Sequence, residues 1–210
     1  MKKLVCFIFL LIFISCSSKE TTYEEMKADE LLSESFTENE LKNLAKIVDF
    51  FESEICLDKK ITKEFCYFNF NKKIIKEFEK EIVGYKFPIN YQLQKKLYSS
   101  IDSIFFKEIW VHKTYLEGAD LNNKIIDKAY NLNLYGKYIL FLKRLKNDDK
   151  LFNDFYKVFY LSNEISFGVQ ASAFLKFKIK EFKGIKRRLF FAIYYLTVND
   201  KMHNYINRKI

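Results

Sequence analysis

Residues 37–55 read Thr-Glu-Asn-Glu-Leu-Lys-Asn-Leu-Ala-Lys-Ile-Val-Asp-Phe-Phe-Glu-Ser-Glu-Ile, from Thr37 to Ile55. Thr37 followed three residues later by Glu40 has the form of a capping box, in which each side chain satisfies the other residue's backbone N–H at a helix start. Leu41, Leu44, Ile47, Val48, Phe51 and Ile55 then recur at steps of three and four, which puts them on one stripe of a helix. A helix with one buried stripe needs partners, and the remaining chain supplies the same pattern repeatedly. The spacing predicts an all-α protein, a single compact domain of about six or seven helices spanning 38–210.

Working outward, Asp58-Lys59-Lys60 ends the first helix. A second is expected over 71–83, with Ile74, Ile75, Phe78 and Ile82 inward and Gly84 as its stop. Asn90 can cap a long third helix through Leu93, Leu97, Ile101, Phe105, Ile109 and Leu116, and Asp120 a fourth carrying Leu121, Ile125, Ala129, Leu132, Ile139 and Leu142, with Gly136 as a break inside it. Leu151, Phe152, Phe155, Val158 and Phe159 mark a fifth, and Ser162-Asn163 starts a sixth. Its end, 175–180, alternates with period two like a strand, but with no good second strand to pair with it is read as helix. After Gly184, the nearly continuous apolar run 189–198 predicts a central, buried last helix, since ten residues cannot span a bilayer.

Upstream of Thr37 the chain is polar and acidic from Ser17, which reads as a spacer or tether over 16–37 with a frayed helical turn around Tyr23 to Leu32. Met1-Lys2-Lys3 and the apolar run 4–14 have the form of a secretory n-region and h-region, giving a signal peptide over 1–15. The end of that run and the two residues after it, Phe13-Ile14-Ser15-Cys16, resemble the lipobox of bacterial lipoproteins, with Phe13 in place of the usual Leu as in spirochaetal-type examples. The resemblance covers only this segment, and the mature domain carries none. It implies cleavage before Cys16, acylation of Cys16, and a cell-envelope location on the outer membrane, with the surface face preferred. Two or more acyl chains would make that anchor stable.

One Pro and five Gly in 210 residues, with 14 Tyr and 23 Phe, argue against disorder and against a turn-dense β-sandwich. The formal charge is +9, and it is unevenly placed. From Cys16 to Lys60 six lysines face twelve carboxylates, while the last forty residues hold ten Lys and Arg against Glu181 and Asp200. Lys176, Lys178, Lys180, Lys183, Lys186, Arg187 and Arg188 therefore form a candidate patch for an acidic protein, a glycan or an anionic lipid. The alternative is a solvated, lysine-rich helix face. Nucleic acid is a poor partner for an exported, lipidated chain, and the oligomeric state is not readable.

Cys56 and Cys66 are the cysteines left in the mature chain besides Cys16. An even pair in an oxidising compartment reads as a disulfide, with two buried free thiols as the alternative. No His or Cys stands near enough in sequence to suggest a metal site, and no cofactor motif occurs. His112 is expected inside, on the inner stripe of the third helix near Trp110, and His203 in a polar tail. No nucleophile elbow, phosphate loop or carboxylate pair stands out. The reading is a non-enzymatic, membrane-anchored interaction lipoprotein that binds a host or envelope macromolecule. A periplasm-facing assembly or scaffolding lipoprotein is the alternative, and a cell-wall enzyme a third.

Overall fold

The computed structural model describes residues 21–58, 60–80, 87–116, 125–165, 174 and 176–206. In chain order these form helices α1 (Thr22–Ala28), α2 (Glu30–Ser35), α3 (Glu38–Ile55), α4 (Lys63–Lys80), α5 (Tyr91–Ser100) and α6 (Ser103–Ile109), strands β1 (Trp110–Leu116) and β2 (Ile125–Leu132), then α7 (Lys137–Leu145), α8 (Lys150–Ser162), a 3₁₀ turn at Ile179–Phe182, and α9 (Ile185–Ile206). The fold is predominantly helical, with one small antiparallel sheet.

The capping box at α3 is present: the Thr37 N–H donates to Glu40 Oε2 at 2.7 Å, and the Glu40 N–H to Thr37 Oγ1 at 3.4 Å. The centre of the molecule is α9. Every residue from Leu189 to Asp200 is buried, as an all-round apolar helix of that length requires. Its aromatic rings pack edge-on, tilted or stacked against the neighbouring elements. Phe191 meets Phe182 at 4.7 Å between ring centres, Phe190 meets Phe155 at 4.8 Å, and Tyr195 meets Phe70 at 5.0 Å. Several of its polar side chains are satisfied across elements. Trp110 Nε1 donates to Thr197 Oγ1 at 2.8 Å, Asn199 Nδ2 to Gln94 Oε1 at 2.7 Å, and the Tyr195 hydroxyl to Asn71 Oδ1.

At the start of α9 a charge is buried. Arg188 is only 2 % exposed. Its Nη1 donates to Glu52 Oε1 on α3 at 2.9 Å and its Nη2 to Glu25 Oε2 on α1, while Lys63 Nζ on α4 takes the second Glu52 oxygen at 2.9 Å. Tyr67 closes the group by donating to the Arg188 carbonyl at 3.2 Å. A guanidinium stays protonated at any accessible pH, so its burial requires carboxylates brought to it.

Three expectations are corrected. The acidic stretch read as a tether is structured from Thr21 onward, because Thr21, Asp29 and Thr37 each cap a helix and Met26, Leu32 and Phe36 are buried in the core. The long third and fourth helices do not form. Asp102 restarts the chain as α6, and residues 110–116 and 125–132 pair as an antiparallel hairpin with His112 opposite Tyr130. Val111, Thr114 and Tyr115 are β-branched or aromatic and favour that pleated arrangement. Gly136 is no helix kink but the N-cap of α7: a Cβ there would stand 2.2 Å from the Glu108 carbonyl oxygen, so only glycine permits the approach.

Smaller differences have local causes. α4 begins at Lys63, eight residues before the expected start, since Cys66, Tyr67, Phe70 and Ile74 already carry the helical spacing. Asn163, in the left-handed region at φ 49°, ends α8 where a sixth helix was expected to begin. The period-two stretch, expected as helix, runs into the 3₁₀ turn at Ile179–Phe182, with Phe182 buried. The expected second-helix end at Val83 and Gly84, and the fourth-helix cap at Asp120, lie outside the described residues.

Removing one partner from a buried ion pair strands the other, so Arg188→Ala should lower unfolding free energy by about 3–5 kcal/mol. Arg144→Ala, which breaks the half-exposed pair with Glu34, should stay within about 1 kcal/mol. Denaturant unfolding of the two variants checks the contrast, and equal losses would contradict it.

Candidate functional site

The seven basic residues of the expected patch separate into two groups. Arg188 is interior. Arg187 is half-buried between two carboxylates: Nη2 stands 2.7 Å from Asp149 Oδ2 and Nη1 2.7 Å from Glu181 Oε2. Lys186 Nζ pairs with Asp29 Oδ2 at 2.8 Å. All three are engaged by carboxylates of the fold, and Arg188 is too deeply buried to meet a partner. Lys176, Lys178, Lys180 and Lys183 are exposed and have no acidic partner among the described residues. The irregular path of 176–183 explains the difference, because it carries these side chains outward while Phe177 and Phe182 pack inward.

Beside this run lies a cleft of about 680 Å³ between α8 and the segment from Phe174 to Arg187. Leu151, Phe155, Val158, Phe174 and Phe177 line it with apolar surface. Its rim carries the Arg187 ion-pair group, the Lys150–Asp154 pair at 2.6 Å, and Lys176. Tyr194 packs against Phe174 at 5.1 Å and Phe155 at 6.2 Å, and its buried hydroxyl has no hydrogen-bond partner among the described residues. Burial pushes that phenol well above its ordinary pKa, so it stays a neutral donor. A cleft of this size, apolar inside with a few charged groups at its edge, suits an apolar side chain or small ligand carrying a polar end. The sequence hid it, because Phe155, Val158 and Phe174 read simply as core.

Both histidines stand elsewhere, around Asp200 of α9. The buried Asp200 carboxylate accepts from the Tyr91 hydroxyl at 2.9 Å through Oδ1, and from the Tyr130 N–H at 2.6 Å and Asn204 Nδ2 at 3.3 Å through Oδ2. His112 stacks on Tyr130 at 4.0 Å and His203 on Tyr91 at 3.7 Å. His112 is exposed on β1, contrary to the expectation of a core histidine, because residues 110–116 form a strand of a two-stranded hairpin and not the inner stripe of a helix. Burial raises the Asp200 pKa against the opposing hydrogen bonds from Tyr130 and Tyr91 and the charges of His112 and His203. With both oxygens occupied by protein donors, Asp200 joins α9, α5 and β2 and is poorly placed to exchange a proton with a substrate.

Cys56 and Cys66 are disulfide-bonded, with Cα atoms 5.3 Å apart, linking the end of α3 to the first turn of α4. Cys16 lies outside the described residues. Among the described residues no group of three or more His, Cys, Asp or Glu is placed to hold a metal ion, and no helix is long and apolar enough to cross a membrane. Compared with protein-family models, with curated proteins and with solved structures, the chain matches none.

Burial depresses the His203 pKa below its ordinary 6.5, with Asp200 pulling it up and Lys95 pushing it down. The fold therefore favours neutral imidazole, and that contribution is present above pH 6.5 and is lost as pH falls through the depressed value. Asp200, with a raised pKa, contributes in the opposite sense, losing stability as pH rises from 3.8 through its higher folded value. Thermal unfolding followed from about pH 7 to pH 5 should show a steeper loss in the native chain than in His203→Gln. Parallel profiles would contradict the assignment.

Proposed function

We propose that the chain is a lipid-anchored interaction protein of the cell envelope, non-enzymatic, held at Cys16 and presenting its helical domain to an acidic macromolecule outside the outer membrane. The observation that supports this reading best is the run Lys176, Lys178, Lys180 and Lys183. It stays exposed and unneutralised beside an apolar cleft, while neighbouring cations are taken up by internal carboxylates. Like-charged lysines on one short segment repel one another, and an acidic ligand relieves that repulsion. The cleft would seat an apolar side chain of the same partner against Leu151, Phe155, Val158, Phe174 and Phe177. The anchor is carried by the sequence Phe13-Ile14-Ser15-Cys16 behind its apolar run.

The anchor and the surface are tested separately. In the source cell, labelled palmitate should enter the native chain and not Cys16→Ala, and protease added to intact cells should digest the domain. A protected domain would place it on the periplasmic face instead. Purified chain should be retained on immobilised polyglutamate in a salt-sensitive manner, and Lys176→Glu with Lys183→Glu should weaken retention by roughly tenfold or more. Reversal at these positions leaves the internal pairs of Lys186, Arg187 and Arg188 intact, so retention unchanged by it would remove the surface from consideration.

A further inference from the structure

The described chain begins close to the disulfide. Thr22 Oγ1 donates to Asp49 Oδ1 on α3, and Glu25 one turn later holds Arg188 together with Glu52. Asp49 and Cys56 are about 10 Å apart along α3 at the helical rise. Between the two cysteines, Leu57 is 87 % exposed, and Ile61 and Phe65 also reach solvent. Phe65 is 6.3 Å from Phe68, which is 6.5 Å from Phe182 in the 3₁₀ turn, so the disulfide loop and that turn share one face. The turn adds exposed Ile179 with Lys178 and Lys180, while Lys72 Nζ sits 4.6 Å above the Phe68 ring and Lys60 is exposed in the loop. Opposing charge is sparse. Asp58 and Glu64 lie in the loop region, whereas Glu52 and Glu181 are already paired with Arg188 and Lys63 and with Arg187.

We infer that this face rests on an anionic bilayer, with Leu57, Ile61, Phe65 and Ile179 entering the headgroup boundary and Lys60, Lys72, Lys178 and Lys180 meeting lipid phosphates. Exposed apolar side chains ringed by lysine have the composition of an interfacial membrane contact. Chain length favours the same occupant. Cys16 and Thr21 are five residues apart, a reach of about 17 Å when fully extended, so acyl chains on Cys16 hold this end of the domain against the leaflet. In that respect the inference rests on the lipid-anchor reading. This assigns Lys178 and Lys180 of the exposed run to the bilayer, and leaves Lys183 and the cleft between α8 and Phe174–Arg187, with Lys176 on its rim, to a protein partner.

The test uses the whole chain from Cys16 onward, carried with Cys16→Ser so that no acyl chain contributes. It should co-sediment with vesicles containing phosphatidylglycerol and not with pure phosphatidylcholine, and salt should release it. Each lysine at such a surface is worth about fivefold in binding, so Lys178→Glu with Lys180→Glu should lower the affinity at least about 30-fold. Leu57→Ser, at a side chain that packs on little of the fold, should weaken binding with an unchanged unfolding midpoint. Failure to sediment with anionic vesicles, binding indifferent to these substitutions, or retention on dextran sulfate without vesicle binding would each overturn the inference. The anchor reading is scored independently by the mass of the exported chain's first residue: an unacylated Cys16 would end that reading and leave the vesicle result standing.

Discussion

The guanidinium of Arg188 is the constraint around which the molecule is arranged. It occupies the first turns of a helix that the core closes over from Leu189 to Asp200, and it cannot give up its charge. Desolvating such an ion is costly unless carboxylates accompany it. Glu52 comes from α3 and Glu25 from α1, so a single side chain determines where the N-terminal helices lie against the last one. Lys63 and Tyr67 add α4 to the same point. The disulfide between Cys56 and Cys66 reinforces this end by closing the α3–α4 connection.

This constraint gives the uneven charge of the sequence a structural meaning. Acidic residues of the N-terminal quarter pair with basic residues far along the chain: Glu25 and Glu52 with Arg188, Asp29 with Lys186, Glu34 with Arg144, and Glu40 with Lys137. Glu181 and Asp149 then take Arg187. The stretch that looked like an acidic tether and the basic terminal third are joined through Glu25, Asp29 and Glu34, which pair with Arg188, Lys186 and Arg144. The lysines that remain outside these pairs, from Lys176 to Lys183, stand out because so many of their neighbours are neutralised.

Local signals were readable in the sequence and distant ones were not. Thr37 and Glu40 announced α3, and the apolar run 189–198 announced a buried helix, because a capping box and all-round hydrophobicity act within a few residues. The hairpin was missed because Ile109, Leu116, Ile125 and Leu132 fit helical spacing as well as a strand, and short apolar segments do not discriminate. Met26, Leu32 and Phe36 are too sparse to signal two packed helices without knowing what covers them. Arg188 read as surface because its partners are 136 and 163 residues away, and the Asp200 cluster draws on four separate elements for the same reason.

The helical domain thus has one end fixed by a buried charge and a disulfide, near where the chain enters, and a cleft elsewhere on its surface with unneutralised lysines alongside. Both functional readings depend on α9 being the element on which the others pack. Native-state hydrogen exchange measures this directly. The backbone amides of Phe190 to Val198 should exchange only through global unfolding, with an opening free energy equal to that of the whole domain and above those of α1, α7 and α8. Exchange of those amides through a partial opening that leaves α3 and α4 protected would contradict the account.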